Sequence, residues 1–292
     1  MIAPARTIPN LSAAALRTYL SAPAPRPLVL PGLVGHWSAS AEWQRPDFGA
    51  LRRQVGEHTA VEVELAPRGR GYLDDRWARH TMGFGAYAQL SQLTPGLFLD
   101  AFVLHKIPSA DPAALPVGYL AQADLLDSPS APQLAAAAPP LEHYATGPRG
   151  DVYRRNLWVG PAGSFTPFHR DPNIGLYTQV AGAKVFHLLP PGAHAGPSAP
   201  VFETSKKRGN TSRLPVAVGA LLGGEGEGDG AGLEGMDEAE RTRWRSALAA
   251  AFELDGACEA RLSPGDSVLI PEGWWHSAVG LDAGVGVNAW FR

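Results

Sequence analysis

The sequence is poor in cysteine, in charged side chains and in long apolar runs. Its one cysteine, Cys258, allows no disulfide bond within the chain, which fits a reducing compartment. Charged residues make up 18% and the formal net charge is −3, so broad electrostatic binding to nucleic acid or an anionic membrane is not expected. No apolar run reaches the roughly 18 residues of a membrane span, and Met1 to Asn10 lack the apolar core of a signal peptide. We therefore expect an intracellular protein, cytoplasmic or nuclear, without a membrane partner.

Glycine and proline, in contrast, are abundant. The 292 residues include 33 Gly and 27 Pro, together about a fifth of the chain. Both residues interrupt helices, so this composition disfavours a helical bundle and favours short strands joined by many turns. A hydrophobic content of 45% is enough to bury a large core. The composition predicts a mainly β protein with helical decoration.

The pattern of predicted elements divides one domain, residues 1–292, into four parts. An N-terminal α/β part covers about 1–150, core strands occupy about 151–192 and 259–292, and an insert of about 193–258 lies between them. Further predictions are a hairpin at Ala181-Gly182, a helix over 236–254, a helix beginning in 82–90, a strand over 101–107 and a surface connection over 128–150.

Three residues form a candidate metal site. His169 and Asp171 are two positions apart, so on a strand their side chains point the same way and can bind one ion. Such a pair alone is weak evidence, but His276 follows another predicted strand and adds a second imidazole. Two imidazoles and one carboxylate leave metal positions open, an arrangement that suits non-haem Fe(II) and oxygen. The ligand types alone also allow Zn or Mn.

Lys184 is a candidate anion-binding residue because it begins a predicted core strand. A lysine buried in a barrel must find an anion or lose its charge. A dicarboxylate cosubstrate would supply that anion. The alternative is a surface lysine beside the hairpin.

Several ordered motifs carry a family resemblance over roughly residues 25–292. The segment from Asn156 to Pro172 (NLWVGPAGSFTPFHRDP) resembles the core of JmjC-domain 2-oxoglutarate oxygenases, as do QVAGAK at 179–184 and PGDSVLIPEGWWH at 264–276. The segment VNAWF at 287–291 is similar to the family's last strand. The chain most resembles the small stand-alone hydroxylases of the cupin-8 type, which include the asparaginyl hydroxylase that inhibits hypoxia-inducible factor.

The resemblance implies a double-stranded β-helix, a jelly-roll or cupin barrel with a metal inside. It implies Fe(II), 2-oxoglutarate and O2 as cofactor and cosubstrates, with His169, Asp171 and His276 as metal ligands and catalytic centre. The residues implied for 2-oxoglutarate are Tyr119, Thr166, Lys184 and Asn288. One position departs from the family pattern: Gly175 stands where many relatives have Asn, and nearby Asn173 would approach differently.

The expected activity is hydroxylation of a protein or peptide side chain, with release of succinate and CO2. Two alternatives use the same barrel: hydroxylation of a modified tRNA base, which the net charge disfavours, and demethylation of N-methyl-lysine or N-methyl-arginine. A third is a non-enzymatic cupin-like binding module, against which the intact triad and lysine argue. The chain stops after its last predicted strand, so we expect a monomer.

A basic run in the insert is the remaining motif. It comprises Lys206, Lys207 and Arg208, with Arg213 close behind. Such runs are usually solvated loops, but this one could contact an acidic substrate or RNA.

Overall fold

Two β-sheets form the centre of the protein. The computed structural model describes the whole chain except residues 1, 45, 57, 85–97, 107–114, 130, 193, 207 and 225–231. The described strands are β1 (Arg6–Thr7), β2 (Leu28–Leu30), β3 (Ala60–Ala66), β4 (Ala78–Gly83), β5 (Val117–Ala123), β6 (Val152–Gly160), β7 (Phe165–Arg170), β8 (Ile174–Ala181), β9 (Lys184–Leu189), β10 (Thr204–Ser205), β11 (Arg208–Ser212), β12 (Cys258–Leu262), β13 (Ser267–Ile270), β14 (Trp275–Gly280) and β15 (Gly284–Phe291).

The order of the strands brings distant parts of the chain together. The larger sheet has nine strands in the order β1-β2-β13-β8-β15-β6-β5-β3-β4, and the smaller has six in the order β10-β11-β7-β14-β9-β12. Apart from β1 with β2, the paired strands are antiparallel. Strands β13 and β15 lie on either side of β8, and β14 lies between β7 and β9. The C-terminal block of strands therefore interleaves with the central block, as expected for a double-stranded β-helix.

The two sheets enclose one apolar cluster and each carries another on its outer face. Tyr177 and Trp158 of the larger sheet pack with Phe186 and Leu188 of the smaller sheet in the interior. The N-terminal helices cover the outside of the larger sheet, and the helices of the insert cover the outside of the smaller one. This arrangement confirms the mainly β, cupin-like barrel predicted from the sequence.

Two of the helices, α1 and α7, begin at a side chain that caps the first turn. Ser12 accepts a hydrogen bond of 3.2 Å from the backbone N–H of Ala15, and Asp237 accepts one of 2.8 Å from that of Glu240. The helices are α1 (Ala13–Leu20), α2 (Ser38–Glu42), α3 (Gly49–Val55), α4 (Pro132–Ala137), α5 (Ala199–Phe202), α6 (Val218–Leu222) and α7 (Glu238–Phe252). Helix α7 agrees with the helix predicted over 236–254 and buries Trp244 and Leu248 against the smaller sheet.

Three predictions in the N-terminal part are wrong or incomplete. Residues 101–103, predicted as strand, belong to the π-helix Phe98–Val103, whose buried face includes Phe98 and Val103. Residues 82 and 83 end strand β4 instead of opening a helix, and 85–90 lie outside the described residues. The connection predicted over 128–150 is not purely a surface segment, because Leu134 and Tyr144 are buried in the core. In each case the tertiary packing overrides the local pattern.

Cys258 begins β12 and is buried against the interior cluster. Burial raises the pKa of its thiol to about 11. Among the described residues, no helix has the length and apolar character needed to cross a lipid bilayer.

The turn between β8 and β9 depends on a glycine. The hairpin predicted here is wrong, because β8 lies in the larger sheet and β9 in the smaller sheet, where it pairs with β12 and β14. Gly182 has φ of +70°, and a Cβ at this position would lie 2.4 Å from the carbonyl oxygen of Ala283. Gly163 has a similar φ of +78° but open space around it. We expect Gly163→Ala to cost about 1–2 kcal/mol of folding free energy, from backbone strain alone.

Gly182→Ala adds a backbone clash to the same strain, so we expect it to cost about 1–3 kcal/mol more than Gly163→Ala. Urea unfolding of the two variants measures the difference. Equal destabilisation would contradict the proposed clash.

Candidate functional site

Strands β7 and β14 bring the three predicted metal ligands together. His169 of β7 is the direct cross-strand partner of His276 of β14, and Asp171 follows the end of β7. Their ligand atoms all lie within 4.8 Å of one another. The Nε2 atoms of His169 and His276 are 3.9 Å and 3.7 Å from the nearer carboxylate oxygen of Asp171. The cluster could hold one metal ion.

Backbone carbonyls hold both imidazoles in one orientation. The Nδ1 of His169 lies 2.9 Å from the carbonyl oxygen of Pro167, and the Nδ1 of His276 lies 3.1 Å from that of Trp274. With Nδ1–H donating to a carbonyl, each Nε2 keeps its lone pair for the centre of the cluster. Burial, and then the neighbouring His169, lower the pKa of His276 to about 4. His276 is therefore neutral at pH 7, as metal binding requires.

Trp290 of β15 also contacts the cluster. Its Nε1 donates a 2.8 Å hydrogen bond to Oδ2 of Asp171, and its ring lines the same cavity. This bond occupies one carboxylate oxygen and leaves the other free. The sequence analysis gave Trp290 no role, although its spacing of two from Asn288 on a strand places both side chains on one face.

Lys184 forms a second, basic pole in the cavity. Its Nζ donates a 2.9 Å hydrogen bond to the hydroxyl of Tyr119, which in turn is hydrogen-bonded with Thr166. Aromatic rings surround the ammonium, with the centroids of Tyr177, Tyr119 and Trp158 at 5.0, 5.2 and 5.9 Å.

No carboxylate pairs with Lys184 among the residues that the structure describes. Desolvation therefore lowers the pKa of Lys184 to about 7. Desolvation also raises the pKa of Tyr119, so the phenol stays protonated and can donate a hydrogen bond. The basic pole is thus a buried amine to which the described residues offer no carboxylate.

Neighbouring side chains determine the orientation of the Asn288 amide. Its Oδ1 accepts hydrogen bonds from the Trp158 indole at 2.6 Å and from the Asn156 amide at 3.2 Å. An indole N–H can only donate, so this oxygen is identified by chemistry as the acceptor. The Nδ2 of Asn288 remains as the donor that this residue offers to the cavity it lines.

All seven predicted site residues line one cavity between the two sheets. Its lining residues are Tyr119, Trp158, Thr166, His169, Asp171, Asn173, Gly175, Tyr177, Lys184, Phe186, Ile270, His276, Ala278, Asn288 and Trp290. Gly175 faces the ring of Trp290, whose Cδ1 would lie 3.7 Å from a Cβ at 175. A Cβ at this position would therefore make ordinary van der Waals contact with the Trp290 ring.

A second, more polar cavity adjoins the first at the triad. It is lined by His169 and Asp171 together with side chains of β3, β4, β11 and the loop before β4. Glu64 of β3 accepts hydrogen bonds of 3.3 Å from the Trp77 indole and from Arg79. Burial raises the pKa of Glu64, and these donors partly offset that effect. We refer to this space as the mouth of the site.

The fold and the site define a class: a cupin-like barrel with a two-histidine, one-carboxylate cluster inside. Residues 14–292 match the model of the family described as the cupin-like domain. The chain belongs to this family, whose JmjC-type members are Fe(II)- and 2-oxoglutarate-dependent oxygenases. The family predicted from the sequence is thereby confirmed, whereas its subgroup of small stand-alone hydroxylases stays a prediction.

Two of the most similar curated relatives are named as demethylases. Lysine-specific demethylase 8 of Xenopus tropicalis is 27% identical over 267 residues, covering 91% of this chain and 48% of that protein. Lysine-specific demethylase JMJ30 of Arabidopsis thaliana is 26% identical over 265 residues, covering 91% and 49%. The solved structure of E. coli ycfD has a TM-score of 0.43 and 13% identity, covering 91% of this chain and 49% of that one. The chain spans about half the length of these relatives.

The contact between Trp290 and Asp171 leads to a testable prediction. Trp290→Phe removes the 2.8 Å hydrogen bond to the carboxylate and keeps an aromatic ring in place. We expect metal affinity to fall about 10- to 100-fold, because outer partners fix the orientation of ligands. Equilibrium dialysis against Mn(II) measures the effect.

Trp244→Phe, in helix α7 on the far side of the smaller sheet, is the matched control for losing an indole. Equal Mn(II) affinities for the two variants would show that the hydrogen bond has no such function.

Proposed function

We propose that the chain is an Fe(II)- and 2-oxoglutarate-dependent dioxygenase that hydroxylates a protein side chain, with release of succinate and CO2. One observation carries the proposal: a His-Asp-His cluster and a buried lysine without a carboxylate partner among the described residues line the same cavity. A Zn or Mn cupin isomerase would not explain Thr166, Lys184 and Tyr119 together. A purely structural binding module would have no use for either pole.

The donor set fits Fe(II). His169, Asp171 and His276 are the residues that would hold the ion, and three ligands leave coordination positions open for cosubstrates. The carbonyls behind both imidazoles and the indole behind the carboxylate would keep the ligand atoms directed inward. When bound, Fe(II) with O2 and 2-oxoglutarate supplies an oxidant that can replace hydrogen by hydroxyl at an unactivated carbon.

The basic pole fits the distal carboxylate of 2-oxoglutarate. Lys184 would neutralise its charge, while Tyr119 and Thr166 would donate hydrogen bonds from their hydroxyls. Asn288 would add an amide donor whose direction Trp158 and Asn156 hold. Because Tyr177, Trp158 and Phe186 wall the cavity, the ion pair would form in a desolvated space, where it is stronger than in water.

Demethylation of a methylated lysine is the second candidate, and the names of the relatives favour it. The two activities share the same oxidative step. Hydroxylation of a C–H bond in a side chain gives a stable alcohol. Hydroxylation of an N-methyl group gives an N-hydroxymethyl group that separates into the amine and formaldehyde. The product therefore distinguishes the candidates.

Succinate formation tests the proposal. Purified protein is incubated with Fe(II), ascorbate and 2-oxoglutarate, with Zn(II) replacing Fe(II) in a control. Binding of 2-oxoglutarate can be followed by intrinsic fluorescence, because Trp158 and Trp290 line the cavity. A protein that binds neither Fe(II) nor 2-oxoglutarate would overturn the enzyme assignment. Mass spectrometry of peptides then separates a gain of one oxygen from the loss of a methylene with formaldehyde release.

A further inference from the structure

Arg208 lies at the mouth of the site on an aromatic platform. It begins β11, whose Thr211 is the cross-strand partner of the metal-site residue His169. The Cζ of Arg208 lies 4.5 Å from the ring centroid of Tyr72 and 5.5 Å from that of Trp77. Arg208 lines the same cavity as His169 and Asp171. Part of the basic run found in the sequence is therefore at the site instead of in a solvated loop.

The platform under Arg208 is fixed to the strand that carries His169. A Cβ at Gly71 would lie 2.8 Å from the Pro167 ring, so this loop approaches β7 more closely than any other residue would allow. The hydroxyl of Tyr72 contacts Oγ1 of Thr211 at 3.4 Å. Arg208 is thus held by its surroundings, which reduces the entropy lost when it binds a partner.

Arg208 forms no salt bridge to a carboxylate within the described residues, although its charge is one of those that lower the pKa of Glu64. The nearest acidic side chain that lines the mouth, apart from Asp171, is Glu64, and its oxygens bond to Trp77 and Arg79. Arg79 pairs in addition with Glu62 at 2.9 Å. Arg79 is therefore satisfied by two carboxylates, Glu62 and Glu64, whereas Arg208 is the guanidinium of the mouth that forms no salt bridge within the described residues.

We propose that Arg208 binds an acidic side chain of the substrate, close in sequence to the residue that reacts; this inference rests on the proposed function. A guanidinium stacked on aromatic faces still presents its N–H edge, which matches a carboxylate in a bidentate pair. Arg208 and Thr211 are three positions apart, roughly 10 Å along the strand, and an extended peptide covers that distance in about three residues. The acidic residue therefore lies within about three positions of the reacting one.

A peptide is favoured over RNA as the source of the anion. The overall charge of −3 gives no broad attraction for a polyanion, and Arg208 on its aromatic rings is a local recognition element. Phosphorylated residues and oligonucleotides enter the test as competing outcomes.

A synthetic peptide array tests this inference without turnover. The peptides place Asp, Glu, Asn, Gln or phosphoserine at each of four positions on either side of a central Lys, Arg, Asn or His. The protein is loaded with Mn(II) and N-oxalylglycine, an unreactive analogue of 2-oxoglutarate, and intrinsic fluorescence verifies the loading. Wild type is compared with Arg208→Gln, Arg208→Lys and the control Arg213→Gln, an exposed residue that pairs with Glu203 at 2.9 Å.

Wild type and Arg213→Gln should retain peptides with Asp or Glu within three positions of the centre at least fivefold more strongly than the matching amides. Arg208→Gln should lose this preference, and Arg208→Lys should keep a part of it, because a lysine retains charge without the fork. Thermal unfolding verifies that all variants fold.

The inference is overturned if loaded wild type shows no acidic preference or binds no peptide, or if Arg208→Gln keeps the preference. A stronger preference for phosphoserine, or displacement of the peptides by oligouridylate RNA, also overturns it. Wild type that fails to bind N-oxalylglycine contradicts the proposed function itself, so the two failures are distinguishable.

Discussion

Lys184→Met is expected to abolish binding of 2-oxoglutarate and, at the same time, to stabilise the protein free of cosubstrate. The methionine keeps the length of the side chain and removes the only cation of the basic pole, so we expect at least a 100-fold loss of affinity. Titration of 2-oxoglutarate in the presence of Mn(II), followed by intrinsic fluorescence, measures it. The exposed Lys206→Met is the matched control. Unchanged affinity in Lys184→Met would place the cosubstrate elsewhere.

The stabilisation follows from the pKa of Lys184, which burial lowers to about 7 from a usual 10.5. The unfolded chain binds this proton more strongly than the folded protein does, so a protonated Lys184 opposes folding. The penalty is fully present below pH 7, declines as the pH rises from 7 to 10.5 and is absent above that range. The advantage of Lys184→Met in urea unfolding should follow the same course. An advantage that is independent of pH would contradict this explanation.

The protonation of Lys184 also makes the binding of 2-oxoglutarate depend on pH. A bound dianion raises the pKa of Lys184, so binding takes up a proton wherever the free protein has lost it. Affinity should therefore be constant below pH 7 and fall by up to tenfold per unit above it.

His169→Ala is expected to remove metal binding and all turnover of 2-oxoglutarate. Two remaining ligands cannot complete the facial set, so Mn(II) affinity should fall at least 100-fold. His194→Ala removes an imidazole that stacks on Phe202, outside the metal cavity, and is the control. Dialysis against Mn(II) gives the affinities. Turnover by His169→Ala at the wild-type rate would overturn the metal assignment.

The sequence was sufficient for the parts of the site that short motifs encode. His169 lies on β7 and Asp171 directly follows that strand, and Lys184 begins β9 after the turn at Gly182. The segments between the strands were less predictable. The apolar side chains of the π-helix Phe98–Val103 could be buried equally well by a strand. The local hydrophobic pattern therefore could not distinguish a helix from a strand here.

Side-chain contacts between strands could not be predicted from the sequence, because they depend on the register in which the strands pair. The bond from Trp290 to Asp171 joins residues that are 119 positions apart, and the bond from Trp158 to Asn288 joins residues 130 apart. The position of Arg208 depends on β11 pairing with β7 at a single register point. A shift of one residue would turn each of these side chains to the opposite face of its sheet.

The buried thiol of Cys258 has a practical consequence for studying the substrate. Only the thiolate reacts with maleimides, and a pKa of about 11 leaves little of it at neutral pH, behind a barrier of packed side chains. A cysteine introduced in place of an exposed residue would therefore be the single labelling position of the whole chain. A fluorophore attached to a cysteine in place of Lys206, beside the proposed docking residue Arg208, would report peptide binding. The native Cys258 would contribute little label and would not have to be removed first.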